Sequence, residues 1–236
     1  MYSQNGYGGN YTEIGVFTGP VFFKSDYGER GSFENFEKNN GYTLGASYYL
    51  STINNFNGLQ DNFKLRLELF YTKADFKHYG KYVDPSSNTL FANQLRGMYG
   101  STSFSSIGFQ VEYYPFKTDD YNGGASLSPY ISFGPQINYV SVTSRSTLGG
   151  LGTSITTPQK YFGGYRNGSM TVASLTGSIG TRYKLSDYHS LFAELKGQYF
   201  FSDWVDGLNP NKAIYKENKS NDWCVGLNLG YIYYFN

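Results

Sequence analysis

Charged side chains recur at every second position in segments that are otherwise apolar. From Phe63 to Lys73, Phe63, Leu65, Leu67, Leu69 and Tyr71 share one row, while Lys64, Arg66, Glu68, Phe70 and Thr72 share the other. Helical spacing would spread the same charges all round, so the strict period of two defines a strand with one apolar and one polar face. Collecting the polar rows of all such segments yields Glu13, Lys64, Arg66, Glu68, Glu112, Arg182, Glu194 and Lys196. Four are acidic and four are basic. If these rows enclose a narrow lumen, the charges must pair, because isolated burial of an ion costs several kcal/mol. The expected chemistry is an ion-pair network replacing an apolar core; a narrow pore or a buried acid–base pair is the alternative.

The remaining candidates carry less. Of the two histidines, His78 follows a strand and His189 lies in a short turn at the opposite end. They cannot share a metal or a mechanism. His78 with Asp203, Asp206 or Asp222 has the residue types of a rim Asp/His hydrolase site, set against solvated loop residues. Ser202 to Asn209, with Asp222, offers carboxylates and amides suited to a hard cation such as calcium. It lacks the spacing of a calcium loop, so a structural turn is the expectation. No phosphate loop, nucleophile elbow or zinc signature occurs. The lone Cys224 excludes an intrachain disulfide. The expectation is no catalytic residue, no metal and no cofactor. With 19 basic and 18 acidic residues, nothing electrostatic favours nucleic acid.

These residues need strands to position them. Eight segments read as strands: Thr12–Lys24, Gly41–Leu50, Phe63–Lys73, Ser103–Tyr113, Leu127–Thr143, Thr171–Lys184, Leu191–Phe200 and Trp223–Phe235. In the last, Trp223, Val225, Leu227, Leu229, Tyr231, Tyr233 and Phe235 alternate with Cys224, Gly226, Asn228 and Gly230. Composition agrees, since 25 Tyr and 19 Phe suit pleated, half-buried surfaces. Mean hydropathy is −0.46, and no stretch approaches the ~18 apolar residues of a spanning helix. The connections 25–40, 74–102, 144–170 and 201–222 are each longer than the intervening 51–62, 114–126 and 185–190. Segregation of long and short loops is a property of membrane barrels. Thr118–Gly124 and Leu185-Ser186-Asp187 are turn-rich, and Ser144–Met170 has the Ser, Thr and Gly content of mobile tips. The expected fold is one domain, residues 1–236: an eight-stranded antiparallel up-and-down transmembrane β-barrel with a filled lumen, long extracellular loops and both termini periplasmic. Its expected aromatic belt is Tyr71, Tyr113, Trp204, Trp223, Tyr231, Tyr233 and Phe235. The chain opens Met1-Tyr2-Ser3 without a charged head and apolar run, so any export signal is expected to have been removed.

Tyr11–Pro20, Ser25–Arg30, Gly80–Pro85, Trp204–Asn209, Asn218–Trp223 and the closing Gly230–Tyr234 together carry a resemblance. Over nearly its whole length the chain resembles a family of outer-membrane β-barrels from flavobacteria and other Bacteroidota. The resemblance implies an outer-membrane location, with outer-membrane lipid and lipopolysaccharide as surroundings, and transfers no activity or site. Barrels of those bacteria serve as accessory parts of type IX secretion and barrel-insertion machines. The leading expectation is therefore a non-enzymatic structural or accessory subunit that meets protein partners through its extracellular loops. A surface hydrolase near His78 and a small-solute channel are the alternatives.

Overall fold

The computed structural model describes residues 10–29, 32–52, 62–116, 127–216 and 220–235. Eight strands follow one another: β1 (Asn10–Lys24), β2 (Asn40–Thr52), β3 (Phe63–Lys77), β4 (Met98–Tyr113), β5 (Leu127–Ser146), β6 (Gly168–Ser186), β7 (His189–Phe200) and β8 (Trp223–Phe235). Each pairs antiparallel with its sequence neighbours, and β1 pairs with β8 from Thr12↔Phe235 to Lys24↔Trp223, closing the barrel. The period of two underlies the closure: each strand alternates an inward and an outward row, and joining β1 to β8 gathers the inward rows on one surface while leaving no sheet edge.

The outward rows are apolar and bare. Val16, Leu44, Leu69, Ile107, Phe133, Ile179 and Leu229 are each more than half exposed. Water-soluble proteins do not present a continuous apolar surface of this extent. Tyr71 and Trp223 stand on this surface toward one end, and Tyr113, Tyr231, Tyr233 and Phe235 toward the other. None of the described helices is long and apolar enough to cross a membrane.

Several strands run further than their alternation indicated. β3 continues to Lys77, β4 begins at Met98, β5 ends at Ser146 and β6 begins at Gly168. Beyond the apolar band the outward residues turn polar, as Asp75 and Lys77 do beside buried Ala74 and Phe76, so the apolar-out pattern ends although the ladder and its alternation continue. At that end the long connections fold over the mouth. They include α1 (Phe33–Lys38) and α2 (Leu90–Gly97), the latter capped by Thr89, whose side chain accepts from Ala92 N. The Ser/Thr-rich connection after β5 is built from turns rather than a free tip. Thr156 Oγ1 donates to Gly150 O at 2.7 Å and Gly152 N donates to Thr157 Oγ1 at 2.8 Å. At the other end, His189 does not lie in a turn: it opens β7 opposite Tyr233. Thr118–Gly124 and Met1–Ser3 lie outside the described residues.

Candidate functional site

The inner row of each strand decides what the lumen contains, and it is layered. Nearest the chain termini, Lys64 Nζ donates to Glu13 Oε1 at 2.6 Å. Glu13 also takes Arg182 Nη1, and Arg182 Nη2 reaches Glu112 Oε2 at 2.8 Å. Glu112 passes the chain to Arg66 Nη1 at 2.9 Å, and Arg66 Nη2 lies 3.2 Å from Glu68. Glu68 is paired with Lys196, while Arg66 Nη1 also reaches Glu194 at 2.9 Å. All eight residues form one continuous chain of ion pairs, drawn from five strands and almost wholly buried. Alternating signs let most carboxylates meet two cations, which offsets the desolvation of each.

Neutral inward residues complete the layer. Tyr130 donates to Glu194 Oε2 at 3.0 Å, Tyr114 to Glu112 at 2.6 Å, and Gln136 Nε2 to Glu68 Oε2 at 2.9 Å. Tyr49 lies under the Arg182 guanidinium, 4.3 Å from its ring centre. Tyr49, Tyr130 and Gln136 lie on β2 and β5, which contribute none of the eight charges, but parity with Glu112 would have found Gln110 from sequence. Parity with Arg182 would also have found Lys184, buried and 3.5 Å from Asp187.

Toward the capped end aromatic rings join neutral polar side chains such as Thr72, Asn138 and Gln198. Phe17, Phe23, Phe70, Phe76, Phe104, Phe192 and Phe200 are buried, with rings edge-to-face at 5.4 Å for Phe104–Phe200 and for Phe23–Phe76. Glycines opposite create the room. A Cβ at Gly45 would lie 2.4 Å from Phe17 Cζ, and one at Gly230 would lie 2.2 Å from Phe192 Cε1. Between the two layers the cavity is about 20 Å3, space for roughly one water.

Above the phenylalanines sits the cap. Asp203, Asp206 and Asp222 are buried there, not solvated. Asp222 Oδ2 accepts from Val205 N at 2.8 Å and Asp206 N at 3.2 Å; Asp206 Oδ1 accepts from Leu208 N at 2.7 Å, and its other oxygen takes Asp26 N. These carboxylates tie the last connection to the segment after β1. Burial, followed by mutual repulsion with neighbouring carboxylates including Asp26, holds Asp206 and Asp222 well above the usual carboxylate range. No group of His, Cys, Asp and Glu among the described residues has a metal-binding arrangement. Those backbone hydrogen bonds hold residues 202–209 as a series of bends across the cap.

His78 is likewise buried, against the expectation of a solvated loop residue. Its Nδ1 accepts from Gly28 N at 2.7 Å, and Tyr27 and Tyr161 pack at ring distances of 5.1 and 5.6 Å. Burial, reinforced by the Lys160 charge, pushes the imidazole down to about 3. Its hydrogen-bond partner is a backbone amide rather than a carboxylate. Trp204 lies half-buried within the cap connection instead of on a strand.

With this geometry, the similar solved structures are small barrels. Over 96% of this chain and 99% of theirs, they include Neisserial surface protein A at 15% identity and TM-score 0.47, and a major outer membrane protein from Thermus thermophilus at 15% and 0.49. Ail, the attachment invasion locus protein of Yersinia pestis, is similar at 13% and 0.45 over the same shares. No protein-family model and no curated protein sequence matches the chain.

Proposed function

We propose that the chain is a non-conducting, non-enzymatic outer-membrane barrel that serves as a structural or accessory subunit of a membrane complex. The observation carrying this reading is the lumen: an unbroken ion-pair chain backed by a layer of phenylalanines and closed by a buried carboxylate cap. A barrel filled in three layers has no path for solute, so its outward surfaces are where it acts. The bare apolar girdle with aromatic residues toward both ends supports a bilayer location. The segregation of long connections supports a cap facing outward, with both termini on the periplasmic side. On this reading the ordered cap presents a fixed contact surface to protein partners, within outer-membrane lipid and lipopolysaccharide. Accessory parts of secretion or barrel-insertion machinery are one such setting.

Co-purification of the tagged protein from native membranes tests the reading. Stoichiometric membrane or surface proteins should accompany it in mild detergent, and recovery of the barrel alone would count against it. In planar bilayers the purified protein should be electrically silent; stepwise conductance would overturn the closed lumen. The hydrolase alternative loses its support because His78 is engaged by Gly28 N, with no carboxylate bonded to its ring.

A further inference from the structure

Across β3, β4 and β5 the outward side chains stand in register, and their chemistry changes row by row toward the capped end. Leu69, Ile107 and Ile137 form an apolar row, each more than half exposed. The next row joins Tyr71, Ser105 and Tyr139, and the one after it Lys73, Ser103 and Ser141. Beyond these come Asp75, Ser101 and Thr143, then Lys77, Tyr99 and Arg145. Ser101 Oγ and Thr143 Oγ1 are hydrogen-bonded to each other at 2.8 Å. One continuous patch thus passes from hydrocarbon through hydroxyls to cations.

The cations are free to meet a ligand. Lys73, Lys77 and Arg145 are exposed, and none has an ion-pair partner among the described residues. Asp75 is the single carboxylate in these rows, so the patch is basic. The opposite side of the barrel is built otherwise at this end. There Tyr199 on β7 pairs with Trp223 on β8, and Lys24 lies over the Trp223 ring at 5.6 Å. The basic patch is therefore one-sided, unlike a uniform girdle.

Height decides which anion fits. Lys77 and Arg145 each stand six residues beyond a tyrosine of the same strand, Tyr71 and Tyr139. At about 3.3 Å per residue and a strand tilt of about 40°, six residues climb about 15 Å. The headgroup layer of a phospholipid leaflet is only about 5–8 Å deep. A phospholipid phosphate meets Lys73 but falls short of Lys77 and Arg145. A lipid with a phosphorylated saccharide headgroup spans the whole patch. Its acyl chains lie on the apolar row, and its sugar hydroxyls meet serines that, like them, donate and accept. Its phosphates reach the lysines and the forked donors of Arg145.

We propose that this face of β3–β5 binds a phosphorylated glycolipid of the surrounding leaflet, with Lys73, Lys77 and Arg145 meeting its phosphates. The proposal rests on the bilayer location argued above and names the lipid that this side of the barrel selects.

Native mass spectrometry of the full chain in an amine-oxide detergent counts bound lipid. The probes are rough lipopolysaccharide with a phosphorylated inner core, the same lipopolysaccharide after dephosphorylation, and phosphatidylglycerol. The phosphorylated form should bind at least about tenfold more tightly than either comparator. Lys77→Gln with Arg145→Gln should remove most of that margin and leave phosphatidylglycerol binding unchanged. Lys81→Gln with Lys216→Gln, two exposed charges on the cap connections, should keep it. All four side chains are exposed, so the gel mobility of the folded barrel should not change in either variant. Insertion into plain phosphatidylcholine vesicles checks the bilayer location separately; a barrel that inserts but shows no lipid preference refutes this proposal alone. Equal binding of phosphatidylglycerol, equal binding after dephosphorylation, or the same loss in both double variants would also overturn it.

Discussion

Arg66 on β3 and Glu194 on β7 meet across the lumen, Nη1 to Oε2 at 2.9 Å, with both side chains wholly buried. The two strands are not neighbours in the sheet, so this contact spans the barrel rather than running along its wall. The same guanidinium also holds Glu112 and Glu68, making Arg66 the branch point of the ion-pair chain.

Arg66→Met should therefore be among the most damaging substitutions, leaving carboxylates buried without their cation at about 3–5 kcal/mol. Adding Glu194→Gln should restore part of that loss, because one uncompensated charge disappears. Urea unfolding in detergent, followed by the gel mobility of the folded barrel, measures both. Equal damage in the single and double variants would show that the pair is not coupled.

Gly230→Ala should destabilise by about 1–3 kcal/mol through overpacking. The new Cβ would fall 2.2 Å from the Phe192 ring and 2.7 Å from Val16 O. Phe192→Leu in the same chain should recover the ring-derived share and leave the backbone share. The same unfolding assay reads this as a double-mutant cycle.

Leu69→Arg places a charge at a site 60% exposed on the outer face of β3, midway along the strand. In a bilayer it should cost about 2–4 kcal/mol. Refolding into vesicles at graded urea gives the value. A change within about 0.5 kcal/mol, as on an ordinary wet surface, would refute lipid contact there.

The cap should respond to pH in two opposing ways. His78 falls from 6.5 to about 3 on folding, so between those values the unfolded chain binds the additional proton. Its contribution is complete above 6.5 and is lost as pH falls toward 3. Asp206 and Asp222 are raised above 3.8, so their contribution is complete below 3.8 and is lost as pH rises through their elevated range. Asp222→Asn, matching the protonated form, should flatten the alkaline limb and leave the acidic one. Hydrogen-exchange protection of the Val205 and Asp206 amides, which donate to Asp222, reports it directly. An unaltered pH profile in the variant would remove Asp222 from the titration.

Legibility followed periodicity. The inward row of β3 could be read from Lys64, Arg66 and Glu68 because each outward neighbour is a Leu or Phe, and burial along that strand alternates without a break. Phe70 stood in the same row, yet one aromatic among charges does not announce a phenylalanine layer. That layer draws Phe17, Phe104, Phe192 and Phe200 from three other strands. His78 and the cap aspartates looked like solvated loop residues because nothing local records that a neighbouring connection covers them. Asp222 accepts from Val205, 17 residues away, and Asp206 meets Asp26 across 180 residues.

Alternation along single strands thus determined by itself that the chain is an eight-stranded barrel, which residues face inward, and that their charges balance. Period two is a property of one strand, and closure follows once each strand turns one row inward and pairs along both edges. Only the tertiary structure decided which charges pair, that phenylalanines seal the upper lumen over glycines, and that the long connections fold into a buried cap. Those outcomes depend on contacts between strands and loops remote in sequence, and on the diameter and register of the closed barrel, none of which a local pattern encodes.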